Sequence, residues 1–281
     1  MLDWIRLFNF PATPLKDTFL HYKRVTEQYK DEEILKKVKL LIPQDIVLKT
    51  TAATKEAATK EDEEQDVNVV PLLKWFKNEF MKWTSKDPVC EICIKNSTSN
   101  SSSSHKSIVT TAATPIMQLK KIIEGDSWQI RKVEIYVCSI CNYEIAFPRY
   151  GEILKIAKTK TGRCSEWSFL FGAMLSSLGI KTRIVHDFLD HCWNEAILFP
   201  SSFESDHWVH IDSTLDYPIS LNHPQYYEDN WKKEYQYVLA FTADKIEDVT
   251  KTYTLKWETI QQRRLKNKNN SIDFPKLYSK I

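Results

Sequence analysis

The spacing of apolar residues predicts a chain that is helical in its first part and rich in strands in its last part. Over residues 15–41 apolar positions recur every three or four residues, which predicts one or two amphipathic helices. The same period predicts helices over 69–83 and 150–158. Residues 164–178 predict a helix that is apolar almost all round and ends at Gly179.

Short apolar runs with period-two alternation or turn residues at their ends predict strands. They are residues 132–138, 182–186, 192–199, 208–212 and 235–241, with 248–253 as a further candidate.

Three segments lack such a pattern. Residues 50–66 are rich in Thr, Ala, Lys and Glu and predict a mobile surface loop or a weak helix. Residues 96–114 are rich in Ser, Thr and Asn and predict a flexible excursion. The basic stretch 261–270 predicts a frayed helix or a disordered tail.

The composition of the chain serves only to exclude some partners and a membrane-spanning helix. The 281 residues carry a formal net charge of +2, which gives no electrostatic reason to expect nucleic acid or an anionic membrane as partner. No apolar run approaches the roughly 18 residues that a membrane span needs. The first residues do not resemble a secretory signal, so we expect a cytoplasmic protein, with the nucleus as an alternative, whose six cysteines are reduced.

Four of these cysteines form two Cys-x-x-Cys pairs, Cys90 with Cys93 and Cys138 with Cys141. Each pair places two thiolates on one tight turn, and two such turns complete a tetrahedral zinc site with Zn–S distances near 2.3 Å. The sequence therefore predicts one structural zinc ion. The alternative is four unrelated buried or redox-active thiols.

Cys164 stands apart from these pairs, at the predicted start of an apolar helix, where the helix dipole favours a thiolate. His191 begins one predicted strand and Asp212 ends the next. A histidine could accept the thiol proton and a carboxylate could orient the histidine, as in a nucleophilic triad. The alternative is a buried Cys, a core His and a strand-end Asp with no shared role.

Around these residues the chain resembles the cytoplasmic peptide:N-glycanases, a family of the transglutaminase-like branch of papain-type folds. The resemblance runs from about residue 72 to 253 and includes both Cys pairs. It is strongest in the segments 147–150, 162–167, 190–195, 208–213, 237–241 and 248–250.

The resemblance implies an α+β fold in which the catalytic helix packs on an antiparallel sheet, with a four-cysteine zinc subdomain and flanking N- and C-terminal helices. It implies hydrolysis of the amide that links an N-glycan to asparagine in misfolded glycoproteins. Cys164 would be the nucleophile, His191 the general base and acid, and Asp212 the orienting carboxylate. Trp83 matches the residue that stabilises the oxyanion, although it could equally be a core aromatic of the helix over 69–83.

Two residues near the predicted site depart from the family pattern: Ser165 replaces a usual Gly, and Cys192 replaces a common Val. The stretch between His191 and Asp212 is also longer, which predicts an insertion at the tip of a hairpin around 200–206. None of these changes removes a triad residue, so we expect activity.

The predicted organisation has three parts. They are an N-terminal helical region, 1–68, a catalytic core, 69–253, with the zinc subdomain at about 85–148, and a C-terminal helix and basic tail, 254–281. The length suits the short fungal form of the family, and we expect a monomer. By the resemblance, partners would be unfolded glycoproteins as substrate and a ubiquitin-like shuttle factor that links to the proteasome. Alternatives are another thiol hydrolase or acyl transferase of this fold, or a catalytically silent degradation adaptor.

Overall fold

A computed structural model describes residues 12–51, 68–85, 90, 92–93, 109–113, 132–138, 140–198, 207–266 and 274–280. Across these segments no helix combines the length and the apolar character needed to cross a bilayer.

The N-terminal helices confirm the period seen over residues 15–41. Asp31 separates two of them and caps the second, since its carboxylate accepts the N–H groups of Glu33 and Ile34 at 3.0 Å. A third helix was not predicted, and it includes Thr50, which is fully buried. Of the two alternatives predicted for 50–66, a mobile surface loop or a weak helix, residues 50 and 51 are helical, and the remainder from residue 52 lies outside the described residues. These helices are α1 (Ala12–Glu27), α2 (Glu32–Lys39) and α3 (Gln44–Thr51), with a 3₁₀ turn at Gln28–Lys30 after α1.

The helix predicted over 69–83 ends earlier than expected. It is α4 (Val70–Trp75), which continues as a π-helical turn, Phe76–Phe80. The chain then turns extended at Met81 and forms strand β1 (Lys82–Trp83), which pairs in parallel with β5 (Thr161–Gly162). Trp83 therefore lies on a strand and not on a helix face.

The central helix of the molecule is α6 (Cys164–Ser177), as predicted, and Gly179 beyond its end has a positive φ of 81°. Its residues from Glu166 to Leu175 are all buried, which is the pattern of a helix enclosed on every side. The remaining helices are α5 (Ile153–Thr159), α7 (Tyr226–Asn230), α8 (Trp257–Lys266) and α9 (Phe274–Tyr278). The predicted frayed tail is thus helical as far as Lys266, and 267–270 lie outside the described residues.

The main sheet is antiparallel and has the strand order β10-β9-β6-β7-β8. The strand predicted over 235–241 begins only at Leu239, and the strand predicted over 248–253 is wrong, because Thr250–Tyr253 is a 3₁₀ turn. The hairpin tip predicted around 200–206 lies outside the described residues. The strands are β6 (Thr182–His186), β7 (Cys192–Ile197), β8 (Trp208–Ile211), β9 (Leu239–Phe241) and β10 (Ile246–Asp248).

Both faces of this sheet are covered, which explains its apolar strands. On one face Ile184 and Phe241 join a core built with α1, α4, α5 and α6. On the other face Val185 and Trp193 pack with Tyr227 and with residues of the C-terminal segment. The prediction of an α+β fold with its central helix on an antiparallel sheet is confirmed, whereas the division into three regions stays a prediction.

A second sheet carries the predicted metal ligands. It contains β2 (Val109–Ala113), β3 (Lys132–Cys138) and β4 (Glu144–Arg149), all antiparallel. The excursion predicted over 96–114 is therefore wrong for 109–113, which form β2, and its residues 96–108 and 114 lie outside the described residues. Val133 and Tyr136 of β3 are buried, yet they belong to neither of the two cores described above.

Candidate active site

Cys164 opens onto a cleft of about 780 Å³ whose walls come from distant parts of the chain. His21 and Tyr22 on α1 form one wall, Glu134 and Arg149 on the second sheet another. Trp231, just after α7, closes a third side. Cys164, His191 and Trp83 all line this cleft.

Cys164 is the first residue of α6, and its side chain is only partly buried. Its helix begins with a capping arrangement, since the Glu166 carboxylate accepts the backbone N–H of Arg163 at 3.0 Å. The thiol can donate to the backbone carbonyl of Asp190, 3.7 Å away, in the loop that leads into β7. The sequence therefore places a nucleophile at the positive end of a helix and directly against the segment that carries His191.

The prediction that His191 and Asp212 meet agrees with this structure, in which Nε2 of His191 lies 2.7 Å from Oδ2 of Asp212. The two residues flank neighbouring strands, His191 just before β7 and Asp212 just after β8. The Asp212 carboxylate also accepts the backbone N–H and the hydroxyl of Thr214, at 2.8 and 2.7 Å. These bonds fix the carboxylate. Because Asp212 binds Nε2 of His191, the other ring nitrogen, Nδ1, is available to the Cys164 thiol.

The charged forms of Cys164, His191 and Asp212 stabilise one another. The Cys192 thiol, by hydrogen bonding, and then the His191 imidazolium hold the pKa of Cys164 well below its ordinary value, against the effect of burial. Burial opposes a charge on His191, but the Asp212 carboxylate and the Cys164 thiolate raise its pKa to about 10. Burial would raise the pKa of Asp212, yet the imidazolium holds it well below its ordinary range. The side chains thus favour a thiolate–imidazolium pair, the reactive form of a cysteine nucleophile.

Sequence reasoning missed Tyr227, which completes the carboxylate's environment. Its hydroxyl donates to Oδ2 of Asp212 at 2.8 Å and receives a hydrogen bond from Nε2 of His210 at 2.7 Å. Burial lowers the pKa of His210 to about 4, so this histidine is neutral near pH 7 and donates to the tyrosine. His210 therefore supports Asp212 through Tyr227. A tyrosine in a helix of only five residues gives no periodic signal that could have revealed this.

Trp83 lies beside the nucleophile because β1 pairs with β5, whose Gly162 is opposite Trp83 and two residues before Cys164. The indole is half exposed, and its ring centroid is 6.0 Å from that of Trp167. The interpretation of Trp83 as a core aromatic on a helix is wrong. Its position in the cleft fits a donor to a substrate oxygen, and that role stays a prediction.

A network of charged side chains joins the second sheet to the start of α6, and it too was missed. Arg149 donates to Glu166 at 2.7 Å and to Glu134 at 2.9 Å, and it also contacts the hydroxyl of Ser165. Arg163 pairs with Glu134 at 2.7 Å. Ser165, which departs from the family pattern, is therefore held by Arg149 rather than left loose beside the nucleophile.

The four cysteines predicted as ligands come together at one end of the second sheet. The sulfurs of Cys90, Cys93, Cys138 and Cys141 all lie within 4.8 Å of one another, with Cys90 to Cys141 at 3.5 Å and Cys93 to Cys138 at 3.6 Å. Four thiolates at 2.3 Å from a zinc ion would be about 3.8 Å apart. Backbone N–H groups of Cys141 and Ile140 lower the pKa of Cys138 to about 6. This group can hold a metal ion.

Residues 118–213 match the family model described as transglutaminase-like superfamily. The chain is similar to proteins named peptide-N(4)-(N-acetyl-beta-glucosaminyl)asparagine amidase. The one from Saccharomyces cerevisiae is 36% identical over 193 residues, which are 69% of this chain and 48% of that protein. The one from Caenorhabditis briggsae is 31% identical over 237 residues, 84% of this chain and 34% of that protein.

The chain thus spans less than half the length of these relatives. Among solved structures, it is similar to a chain of the crystal structure of Rad4-Rad23 crosslinked to an undamaged DNA. That similarity has a TM-score of 0.48 and 13% identity, and it covers 99% of this chain and 54% of the other.

Proposed function

Because the chain carries a transglutaminase-like domain and is homologous to peptide-N(4)-(N-acetyl-beta-glucosaminyl)asparagine amidases, we propose that it hydrolyses the β-aspartylglucosamine bond of N-glycoproteins. The observation that carries this proposal is that Cys164 and His191 line one cleft, while the buried Asp212 carboxylate lies 2.7 Å from the His191 ring. A thiol, an imidazole and a carboxylate in this order are the chemistry of a cysteine nucleophile, which supports the proposal.

The reaction begins with the thiolate of Cys164, which attacks the side-chain carbonyl carbon of the glycosylated asparagine. The carbon–nitrogen bond breaks, and the His191 imidazolium gives its proton to the leaving glycosylamine nitrogen. A thioester to Cys164 is left on the peptide. Water then attacks the thioester, His191 accepts a proton of that water, and the thiolate leaves. The products are an aspartate in the peptide and a glycosylamine, which loses ammonia.

Trp83 supports the first step in this proposal. The indole N–H can only donate, which suits it to the negative oxygen that forms when the thiolate attacks. Its place on β1, paired with the strand that leads into Cys164, and its position in the lining of the same cleft support this role.

The substrate class follows from the cleft. Cys164 lies among three walls, so a glycosylated asparagine inside a folded domain would be kept away from the sulfur. We therefore propose unfolded, N-glycosylated proteins as substrates, in the degradation of glycoproteins exported from the endoplasmic reticulum. A cytoplasmic or nuclear location belongs to the same proposal. A ubiquitin-like shuttle factor as partner belongs to it too and rests on the family resemblance alone.

We propose zinc as the ion of the four-cysteine group, because soft thiolates in tetrahedral arrangement select it. Elemental analysis of the purified protein would show one equivalent of zinc, and the Cys138→Ser variant would show less. An iron signal with visible absorbance would contradict this assignment.

The decisive experiment incubates a denatured high-mannose glycoprotein with the wild-type protein and with the Cys164→Ala variant. The wild type should release the glycan and increase the peptide mass by about one dalton per site, because an amide becomes an acid. Cys164→Ala should release none, and the same glycoprotein in its native fold should react far more slowly.

Other results would point to the competing functions. A cleaved peptide backbone would indicate a thiol protease, and transfer of a glutamine acyl group to an added amine would indicate a transglutaminase. Equal, negligible release by the wild type and by Cys164→Ala would indicate a silent adaptor.

A further inference from the structure

The loop between β6 and β7 is organised by a single buried carboxylate, that of Asp187. Its Oδ1 accepts the backbone N–H groups of Leu189, Asp190 and His191 at 2.9, 3.0 and 3.0 Å. The backbone N–H of Asp187 in turn donates to the carbonyl of His191 at 3.1 Å, which closes the loop. Phe188 has a positive φ of 55°, so the tight turn imposes a conformation that the chain does not adopt freely.

This loop delivers two groups to the nucleophile. His191 is its last residue, and the carbonyl of Asp190 faces the Cys164 sulfur at 3.7 Å. Both groups are fixed by their backbone, because the N–H groups of Asp190 and His191 donate to Asp187. A movement of the Asp187 carboxylate would therefore move the imidazole and the carbonyl together.

The second oxygen of Asp187 is bound by Lys233, which also pairs with the carboxylate of Asp190. Asp187 is 1% exposed and Lys233 is 9% exposed, whereas the Asp190 side chain is largely exposed. A fully buried carboxylate needs such a counter-charge, since an unpaired one is strongly unfavourable.

Lys233 also connects the loop to the segment that follows α7. It lies two residues after Trp231, whose ring contacts its ammonium group at 5.5 Å and the His191 ring at 5.0 Å. The backbone N–H of Lys233 is anchored on the carbonyl of Tyr227 at 3.2 Å, the same tyrosine that donates to Asp212. The ion pair thus ties together the segment that supports Asp212 and the loop that carries His191.

We propose that Asp187 and Lys233 are positioning residues for the thiol chemistry of Cys164. The Asp187 carboxylate fixes the position of His191 relative to the Cys164 sulfur. Lys233 holds that carboxylate in place by an ion pair and keeps Trp231 against the imidazole. Neither residue touches the reacting atoms. The proposal depends on the proposed amidase function for its turnover measurement, but not for its second measurement, the reactivity of the thiol itself.

Two variants of each residue test the proposal in the full-length chain. Asp187→Ala removes the acceptor of all three loop N–H groups, and kcat and kcat/KM on a high-mannose glycopeptide should fall together by about 10²-fold, the usual cost of a misplaced catalytic group. Asp187→Asn keeps an oxygen acceptor for the loop but loses the charge that pairs with Lys233, so its activity should fall between those of Asp187→Ala and the wild type. Lys233→Met should lose activity, and Lys233→Arg should restore a large part of it.

The second measurement is the rate at which iodoacetamide alkylates Cys164, followed by mass spectrometry from pH 4 to pH 10. In Asp187→Ala and Lys233→Met the inflection should move to higher pH, because the imidazolium no longer lies against the sulfur. Lys233→Arg should stay close to the wild type, and the inflection of Asp187→Asn should lie between those of Asp187→Ala and the wild type. If the wild type releases no glycan but these alkylation profiles shift, the proposed function fails and the positioning role stands.

A matched control is available far from the cleft. Asp248 also holds a turn, since it accepts the N–H of Thr250 at 3.0 Å and pairs with Arg264 at 2.7 Å. Asp248→Ala should lower the melting temperature and leave the alkylation profile and kcat unchanged. The proposal is overturned if Asp187→Ala or Lys233→Met alkylates and turns over like the wild type. It is also overturned if Asp248→Ala loses as much turnover and thiol reactivity as these two variants, because the loss would then reflect destabilisation alone. If Asp187→Ala does not fold, Lys233→Met against Lys233→Arg decides.

Discussion

Hydrogen bonding from a second cysteine, Cys192, is the first of the causes that lower the pKa of Cys164. Cys192 is 2% exposed, lies 3.4 Å from the hydroxyl of Ser168, and hydrogen bonds to the Cys164 thiolate. Its own pKa is raised well above the ordinary value, first by burial and then by Cys164, so it acts as a neutral donor to the thiolate. A valine, common at this position in the family, could not donate.

Cys192→Val should therefore raise the pKa of Cys164, because the thiolate loses a hydrogen bond and keeps the desolvation. The inflection of iodoacetamide alkylation against pH would move upward, and alkylation at pH 6 would slow. Cys192→Ser keeps an O–H donor and should move the inflection less. An identical inflection in Cys192→Val and in the wild type would contradict this account.

The pair of His191 and Asp212 predicts how activity depends on pH. His191 carries its charge up to a pKa of about 10, so the alkaline limb of the rate profile should fall near that value. Since this pKa lies above the ordinary 6.5, the charge of His191 stabilises the fold fully below pH 6.5 and loses that contribution as the pH rises towards about 10.

Asp212→Asn removes the carboxylate that raises the pKa of His191, and burial then lowers this pKa. The alkaline limb should move to lower pH, and kcat at pH 7 should fall by about 10²- to 10⁴-fold. Histidine NMR resonances followed against pH would report the shift directly. Thr214→Ala, which removes only one hydroxyl bond to Asp212, should shift the limb far less. An unchanged limb in Asp212→Asn would show that the carboxylate does not govern His191.

At the scale of elements, α6 approaches its neighbours closely at one glycine. A Cβ on Gly172 would lie 2.8 Å from the ring carbon Cζ of Tyr29 and 2.8 Å from Nδ2 of Asn194. Neither neighbour can yield easily, because Asn194 is fully buried and the Tyr29 hydroxyl donates to the carbonyl of Phe169 at 2.8 Å. Packing therefore requires a residue without a side chain here.

Gly172→Ala should lower the free energy of unfolding by about 1–3 kcal/mol through overpacking. Helix propensity alone would favour alanine by about 1 kcal/mol, so the sign of the change separates the two effects. Urea denaturation would measure it, with Ser176→Ala on the less buried end of the same helix as a control near zero. A more stable Gly172→Ala would show that Tyr29 and Asn194 move aside at little cost.

Elements with a strong apolar period were predictable from the sequence, and those ruled by side-chain hydrogen bonds were not. The apolar pattern predicted a helix over residues 164–178 and a strand over 182–186, and the structure has α6 and β6 there. The strand predicted over 235–241 begins late because the N–H of Val238 donates to the hydroxyl of Thr250 rather than to a neighbouring strand. Asp248 accepts the backbone N–H of Thr250 in a turn. Residues 250–253 therefore form a 3₁₀ turn instead of the predicted strand.

The site shows the same division. Cys164, His191 and Asp212 could be predicted because their chemistry and their places at element ends are visible in the sequence. Tyr227 and Lys233 could not, since they lie in or just after a five-residue helix, and only the fold brings them to the cleft.

At the scale of the whole molecule, one wall of the cleft comes from the second sheet, through Glu134 and Arg149. Val133 and Tyr136 of this sheet are buried but belong to neither apolar core. Ion pairs of Arg149 with Glu166 and of Arg163 with Glu134 join the sheet to the start of α6. A metal ion held by the four cysteines would stabilise this sheet, because it would bind only the folded site.

Removal of the metal should therefore disorder one wall of the cleft without unfolding the cores. After treatment with a strong chelator, release of glycan should fall steeply, whereas iodoacetamide should still alkylate Cys164. Hydrogen exchange should rise across β3 and β4, while β6 and β7 stay protected. Added zinc should restore glycan release, which excludes irreversible damage. Loss of protection in β6 and β7 along with β3 would show instead that the molecule folds as one unit around its metal.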